Sequence, residues 1–167
     1  GYRVPKHELP ISGSTVFEKA VLSFKDYFNV QEFLFITRNN FNTNFFIENK
    51  LASLGVKSFN IVELDNKTLG QADTVYQGVN QLTDRELLIF NIDTFLTDFE
   101  FPTWLCDCEG YLEVFLAAGD HWSFVEPGKG SKVKRTKEKE RISDLCSNGL
   151  YYFKSAKKYC QLVEDCI

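Results

Sequence analysis

Apolar and polar positions along the chain fall into two rhythms, one before about residue 100 and one after. Behind Ser14 or Thr15, either a candidate N-cap, Phe17, Ala20, Val21, Phe24 and Phe28 recur at the spacing of a helical face. Phe33-Leu34-Phe35-Ile36-Thr37 follows as a short buried strand and runs into the polar cluster Arg38-Asn39-Asn40. A second helix is predicted from about Thr43 to Leu54, with Ile47, Leu51 and Leu54 on one face and Gly55 as its stop. Phe59 to Leu64 reads as the next strand. Asp65 to Thr68 then turns the chain into a third helix, where Ala72, Val75, Tyr76 and Val79 sit at i, i+3, i+4 and i+7. The stretch Glu86-Leu87-Leu88-Ile89-Phe90-Asn91-Ile92-Asp93-Thr94-Phe95 has no polar break before Asn91, the pattern of a strand covered on both faces inside a parallel sheet. Strand and helix have by then alternated three times, which implies right-handed crossovers and a mostly parallel sheet.

After that the rhythm changes. Tyr111 to Phe115, His121 to Val125, Lys132 to Thr136 and Gly149 to Phe153 are strand-like, with turns at Gly119-Asp120 and Pro127-Gly128. A helix from Ser155 to about Cys166 closes the chain, and the first thirteen residues, rich in breakers, read as an extended surface loop. The fold class is therefore α/β: a three-layer, Rossmann-like half joined to a mixed sheet that forms the other wall of a cleft.

A chain of 167 residues is one domain with a core of its own, and 16 phenylalanines supply much of it. The formal charge of −4 argues against nucleic acid and anionic membrane as general partners, and no apolar run nears spanning length. Five cysteines, an odd number set late in a chain without a signal-peptide pattern, point to reduced thiols and a cytoplasmic location. Cys106-Asp107-Cys108 lacks a second pair at zinc spacing. There is no methionine, and the opening Gly1-Tyr2-Arg3-Val4-Pro5 reads as a chain entered mid-protein.

Position makes Asp93 the first candidate for chemistry. In open α/β sheets ligands lie outside the carboxyl ends of the strands, where a carboxylate can hold a divalent cation against a phosphorylated substrate. An Asp in that place is equally at home as a helix cap or turn residue. Lys129 to Arg141 is strongly basic, and a run of this kind ordinarily faces water.

Five segments, taken in order and spacing, resemble the sugar-phosphate nucleotidyltransferases, or nucleoside-diphosphate-sugar pyrophosphorylases, in their bacterial capsule and surface-polysaccharide branch. They are Pro5-Lys6-His7-Glu8-Leu9-Pro10-Ile11, Gly70-Gln71-Ala72-Asp73-Thr74, Phe90-Asn91-Ile92-Asp93, Glu138-Lys139 and Asn148-Gly149-Leu150-Tyr151-Tyr152. The resemblance implies a GT-A-like fold in a single domain, with about 1–100 as the nucleotide-binding half and about 101–167 as the sugar-binding half. It implies Lys6 on the nucleotide phosphates, Gly70, Gln71 and Asp73 at the base, and Asp93 as the ligand of Mg²⁺. Glu138, Asn148, Gly149 and Tyr151 are implied at the sugar and Lys139 at its phosphate, with His121 and Trp122 as a candidate wall above it. The implied substrates are a nucleoside triphosphate and a sugar 1-phosphate or similar phosphorylated metabolite, joined with release of pyrophosphate; homo-oligomerisation is left open. The family's Gly-rich phosphate loop would precede Gly1, its second acidic metal ligand would follow Ile167, and Glu140 stands where a proline is usual. A GT-A glycosyltransferase and a non-catalytic nucleotide-sugar-binding module are the rival readings.

Overall fold

The computed structural model describes residues 4–38 and 42–166. Asn39 and Asn40 of the predicted polar cluster, and the first three residues of the predicted opening loop, lie outside them. The described part of that loop holds a 3-10 turn, Lys6–Glu8, and the short strand β1 (Pro10–Ile11), which pairs antiparallel with β2 (Ser14–Thr15).

Helix α1 (Val16–Leu22) starts on a capping box. The Thr15 hydroxyl accepts from the Glu18 amide at 3.2 Å while the Glu18 carboxylate accepts from the Thr15 amide at 2.8 Å, so two orphan donors are satisfied at once. The helix stops at Leu22, before Phe24 and Phe28; both are nonetheless buried, carried inward by the turn at Lys25–Tyr27.

Strands β3 (Phe33–Arg38) and β4 (Phe59–Leu64) pair in parallel, Phe33 opposite Phe59 through to Arg38 opposite Leu64. Between them runs α2 (Thr43–Leu54), closed by Gly55 at φ +81°. Helix α3 (Gln71–Val79) follows, and its Gly78 lies so close to Ile36 that a Cβ there would come within 2.6 Å of Cγ1.

The expected mostly parallel sheet is not what surrounds the apolar run. Its strand, β5 (Leu87–Ile89), is three residues long and pairs antiparallel with β9 (Leu145–Phe153), Leu88 opposite Tyr152. The remaining strands are β6 (Gly110–Leu116), β7 (Ser123–Pro127) and β8 (Val133–Glu138), and α4 (Ala156–Glu164) ends the chain. Tyr151 pairs with both Ile89 and Leu112, so β5 and β6 flank β9 on opposite edges; Phe124 of β7 takes over the β5 side at Cys146. Among the described residues β3 with β4 is the single parallel pairing of regular strands. An apolar run reports burial on two faces, which is equally compatible with an antiparallel neighbour.

Three layers result. Helices α1 and α2 pack Phe17, Val21, Ile47 and Leu51 against Phe33, Phe35, Phe59 and Ile61 on one face. Helices α3 and α4 pack Val75, Val79, Tyr159 and Val163 against Leu34, Ile36 and Ile89 on the other. No helix among the described residues is long and apolar enough to cross a membrane.

Candidate functional site

The carboxyl end of β5 is where separate elements meet. The Lys6 ammonium, presented by the 3-10 turn behind Pro5, forms an ion pair with the Asp93 carboxylate across 87 residues of chain. Both groups are open to solvent, with 69% of the Lys6 side chain and 38% of the Asp93 side chain exposed. The pair therefore adds little to stability and its partners are available to a ligand. Beside Lys6, His7 is turned inward against the Phe46 ring, centroids 5.6 Å apart, and anchors the turn.

Two further contacts hold the Asp93 loop in place, and both reach the same feature of β9. Between Ser147 and Tyr151 the residues Asn148, Gly149 and Leu150 stand opposite Glu113 alone, so β9 bulges there. Gly149 takes φ +89°, and a Cβ on it would lie 2.8 Å from the Asn91 Cγ, so the Asn91 side chain rests directly on its backbone. One residue earlier the Asn148 carbonyl accepts from the Thr94 hydroxyl at 3.2 Å. The Asn148 amide donates to Glu113 at 2.9 Å and its side-chain oxygen accepts from the Leu150 amide at 3.0 Å, which braces the bulge from within.

On the far side of Asn91 lies the start of α3. The Gln71 amide nitrogen donates to Asn91 Oδ1 at 2.6 Å. A Cβ on Gly70 would meet nothing within 4 Å, so the space over that backbone is open. Asp73 is differently placed: one carboxylate oxygen accepts from the Leu69 amide at 2.7 Å and the other from Gln77 at 2.8 Å. Those bonds, the Leu69 amide first, hold its carboxyl below the usual carboxylate value. Asp73 thus clamps the turn that presents Gly70 and Gln71.

Glu138, Lys139 and Tyr151 gather elsewhere on the five-stranded sheet. The Glu138 carboxylate accepts from the Ser123 hydroxyl and lies 3.5 Å from the Lys139 ammonium. Lys139 takes φ +54°, its amide donating to the Trp122 carbonyl at 2.9 Å. Glu138 and Tyr151 line a cavity of about 160 Å³ together with Leu112, Ser123, Phe124 and Thr136. Trp122, the neighbour of Ser123 in sequence, donates to the Ala118 carbonyl at 3.1 Å, with the His121 ring tilted 38° to it and centroids 4.4 Å apart. Of the two amines expected at the substrate phosphates, Lys6 lies against Asp93, whereas Lys139 lies against Glu138. Another cavity, about 180 Å³ between α3 and α4, contains none of the candidate residues.

Among solved structures the chain is similar to the nucleoside-diphosphate-sugar pyrophosphorylase from Vibrio cholerae RC9. The two are 44% identical with a TM-score of 0.94, over 99% of this chain and 71% of that one. The chain belongs to this family. An apo UDP-glucose pyrophosphorylase (TM-score 0.74, 12% identity, covering 97% of this chain and 72% of that one) shares the nucleotidyltransferase fold. So does an inositol-1-phosphate CTP transferase from T. maritima (TM-score 0.73, 18% identity, 97% and 66%). No family model and no curated protein matches the chain.

Among the described residues no three His, Cys, Asp or Glu side chains are grouped to hold a metal, and all five cysteines are free. Asp93 offers a single exposed carboxylate, which fits a Mg²⁺ that shares its shell with substrate phosphates and water rather than a caged ion. Four residues that build the site had no role assigned to them from the sequence: Asn91, Thr94, Ser123 and Glu113. Asn91 had left one signal, as the first polar break in the apolar run, and Glu113 another, as a carboxylate inside a strand of apolar residues.

Proposed function

We propose that the protein is a Mg²⁺-dependent nucleotidyltransferase that joins a nucleoside triphosphate to a sugar 1-phosphate, for surface-polysaccharide precursors. The observation that carries this is the Lys6–Asp93 ion pair at the carboxyl end of β5, next to the open backbone of Gly70 and the amide of Gln71. A phosphate oxygen of the sugar phosphate attacks the α-phosphorus; the bond from that phosphorus to the bridging oxygen breaks, and pyrophosphate leaves with the electron pair. The attacking oxygen is already anionic at neutral pH, so no general base is required. What the chain must supply is alignment of two anions and relief of their repulsion.

Lys6 is suited to that task as a point charge on a flexible stem, free to pass from Asp93 to the nucleotide phosphates. Asp93 would hold the Mg²⁺, which when bound lowers the charge on the transferring phosphoryl. Gly70 and Gln71 face the base, with Asp73 holding their turn. Asn148, Gly149, Tyr151 and Glu138 form the sugar side, and Lys139, paired with Glu138, stands ready for the sugar phosphate.

The test is a pyrophosphate-release screen of the full-length protein, each common nucleoside triphosphate against a panel of sugar 1-phosphates, with and without Mg²⁺. Asp93→Ala is expected to lower kcat by roughly 100-fold or more, the loss of about 3 kcal/mol of transition-state stabilisation. Release of nucleoside diphosphate in place of pyrophosphate, or undiminished turnover in Asp93→Ala, overturns the assignment.

A further inference from the structure

Resting on that reading, we propose that Asn91 is a positioning residue: it fixes the Gln71 amide for the nucleotide and ties it to the bulge of β9. Its carboxamide is held from two sides. On one, Oδ1 accepts from Gln71 Nε2 at 2.6 Å. On the other, the amide lies on Gly149, where even a methyl group would come within 2.8 Å of Cγ. That floor does not yield, because the Gly149 amide donates to Ser147 Oγ at 3.2 Å and the Leu150 amide to Asn148 Oδ1 at 3.0 Å. Asn91 is therefore held in this setting, and the exposed Gln71 side chain is tied to it by one bond.

The setting decides what Gln71 offers. With Nε2 engaged by Asn91, the Gln71 carbonyl Oε1 is without a partner among the described residues and is left as an acceptor beside the open backbone of Gly70. The ligand chemistry it selects is a nucleobase edge carrying an N–H donor. Asn91 itself touches no ligand in this arrangement; it works by aiming its neighbour. Because its floor belongs to the sugar side of the cleft, a change at Gly149 reaches the nucleotide side through Asn91.

Binding of ATP, GTP, CTP, UTP and dTTP with Mg²⁺ to the full-length protein, followed by calorimetry, tests this. With the nucleotide that binds wild type, Gln71→Ala and Asn91→Ala are each expected to weaken binding about 3- to 10-fold, as for one net hydrogen bond. The double variant should lose no more than either alone. Gly149→Ala, which displaces Asn91 from the opposite side, should weaken the same nucleotide and add nothing in the Asn91→Ala background. If wild type binds nucleotide but the losses from Gln71→Ala and Asn91→Ala multiply, or Gly149→Ala leaves nucleotide affinity untouched, the positioning role falls while the nucleotidyltransferase reading stands. If wild type binds none of the five, both fall.

Discussion

Arg141 offers the most direct test of how the basic run is used. Its guanidinium donates to the Gly119 carbonyl at 2.9 Å and to Asp144 at 2.6 Å, reaches the Ala117 carbonyl at 3.3 and 3.4 Å, and lies 5.5 Å from the Phe124 ring centroid. Replacing it by lysine keeps the charge and removes the fork. A lysine ammonium can serve one of the two short bonds, so one charge-assisted bond and the planar contact with Phe124 are lost. Such a bond contributes about 1.5 to 3 kcal/mol when buried. With 35% of the side chain exposed, the low end applies, giving a net loss of about 1 to 2 kcal/mol. For a chain of this size that lowers Tm by roughly 2 to 8 °C. Thermal melts followed by circular dichroism at low salt and at half-molar salt measure it, with Lys132→Ala, an exposed change in the same run, expected to stay within about 0.5 kcal/mol of wild type. Since Arg141 holds the turn leading to Trp122 and Ser123, the sugar-phosphate KM should rise while the nucleotide KM does not. Equal, salt-sensitive shifts for Arg141→Lys and Lys132→Ala would refute the reasoning.

Gly78→Ala should lower Tm by up to roughly 8 °C, because overpacking against Ile36 costs about 1 to 3 kcal/mol and the gain in helix preference recovers about 1. Adding Ile36→Val should recover part of it; a higher Tm for Gly78→Ala alone contradicts the packing. Asp73→Ala should weaken nucleotide binding through loss of the Leu69 clamp and leave sugar-phosphate affinity unchanged, which separate titrations of the two ligands will read. Stability should fall on acidification in two stages. Burial, against the pull of Glu8, keeps His7 below its ordinary 6.5, so the unfolded chain takes up that proton first and stability is lost as pH drops through about 6.5. Burial would raise Glu18, yet Thr15 and Lys50 together hold it below 4.5; its share is present above that value and lost as pH falls through the lowered one. Melts across pH 3 to 8 of His7→Gln and Glu18→Gln should each flatten one stage, and an unchanged profile in either removes that residue from the account.

What the sequence disclosed depended on how local the determining physics was. Helix α3 could be read from Val75 and Val79 because a helical face is set by spacing alone, and β3 and β4 from their short apolar runs. The end of α1 at Leu22 could not, since Phe24 and Phe28 keep the same spacing in register with the core after the backbone has left the helix. Direction of pairing was equally hidden: nothing in Leu87-Leu88-Ile89 distinguishes a parallel neighbour from β9 running the other way. Within the basic run, Arg141 and Lys132 are alike in composition and differ by the carbonyls of Ala117 and Gly119, which a distant turn brings to one of them.

The site depends on the same nonlocal order. Ser147 and Tyr151 lie on one face of β9, their hydroxyls 2.9 Å apart, while their partners on β6, Val114 and Leu112, are only two positions apart. β9 must absorb the excess between them, and it does so by expelling Asn148 and Gly149 from the ladder. The expelled backbone is what Thr94 bonds and what Asn91 rests on, so the register of β6 against β9 sets where the 91–94 loop lies. Asp93 is consequently located by a strand mismatch between β6 and β9, more than fifteen residues further along the chain. Removing two residues from the bulge would leave Ser147 and Tyr151 paired with β6 and deprive the Asp93 loop of its support, so that the ion pair with Lys6 is lost while the sheet remains.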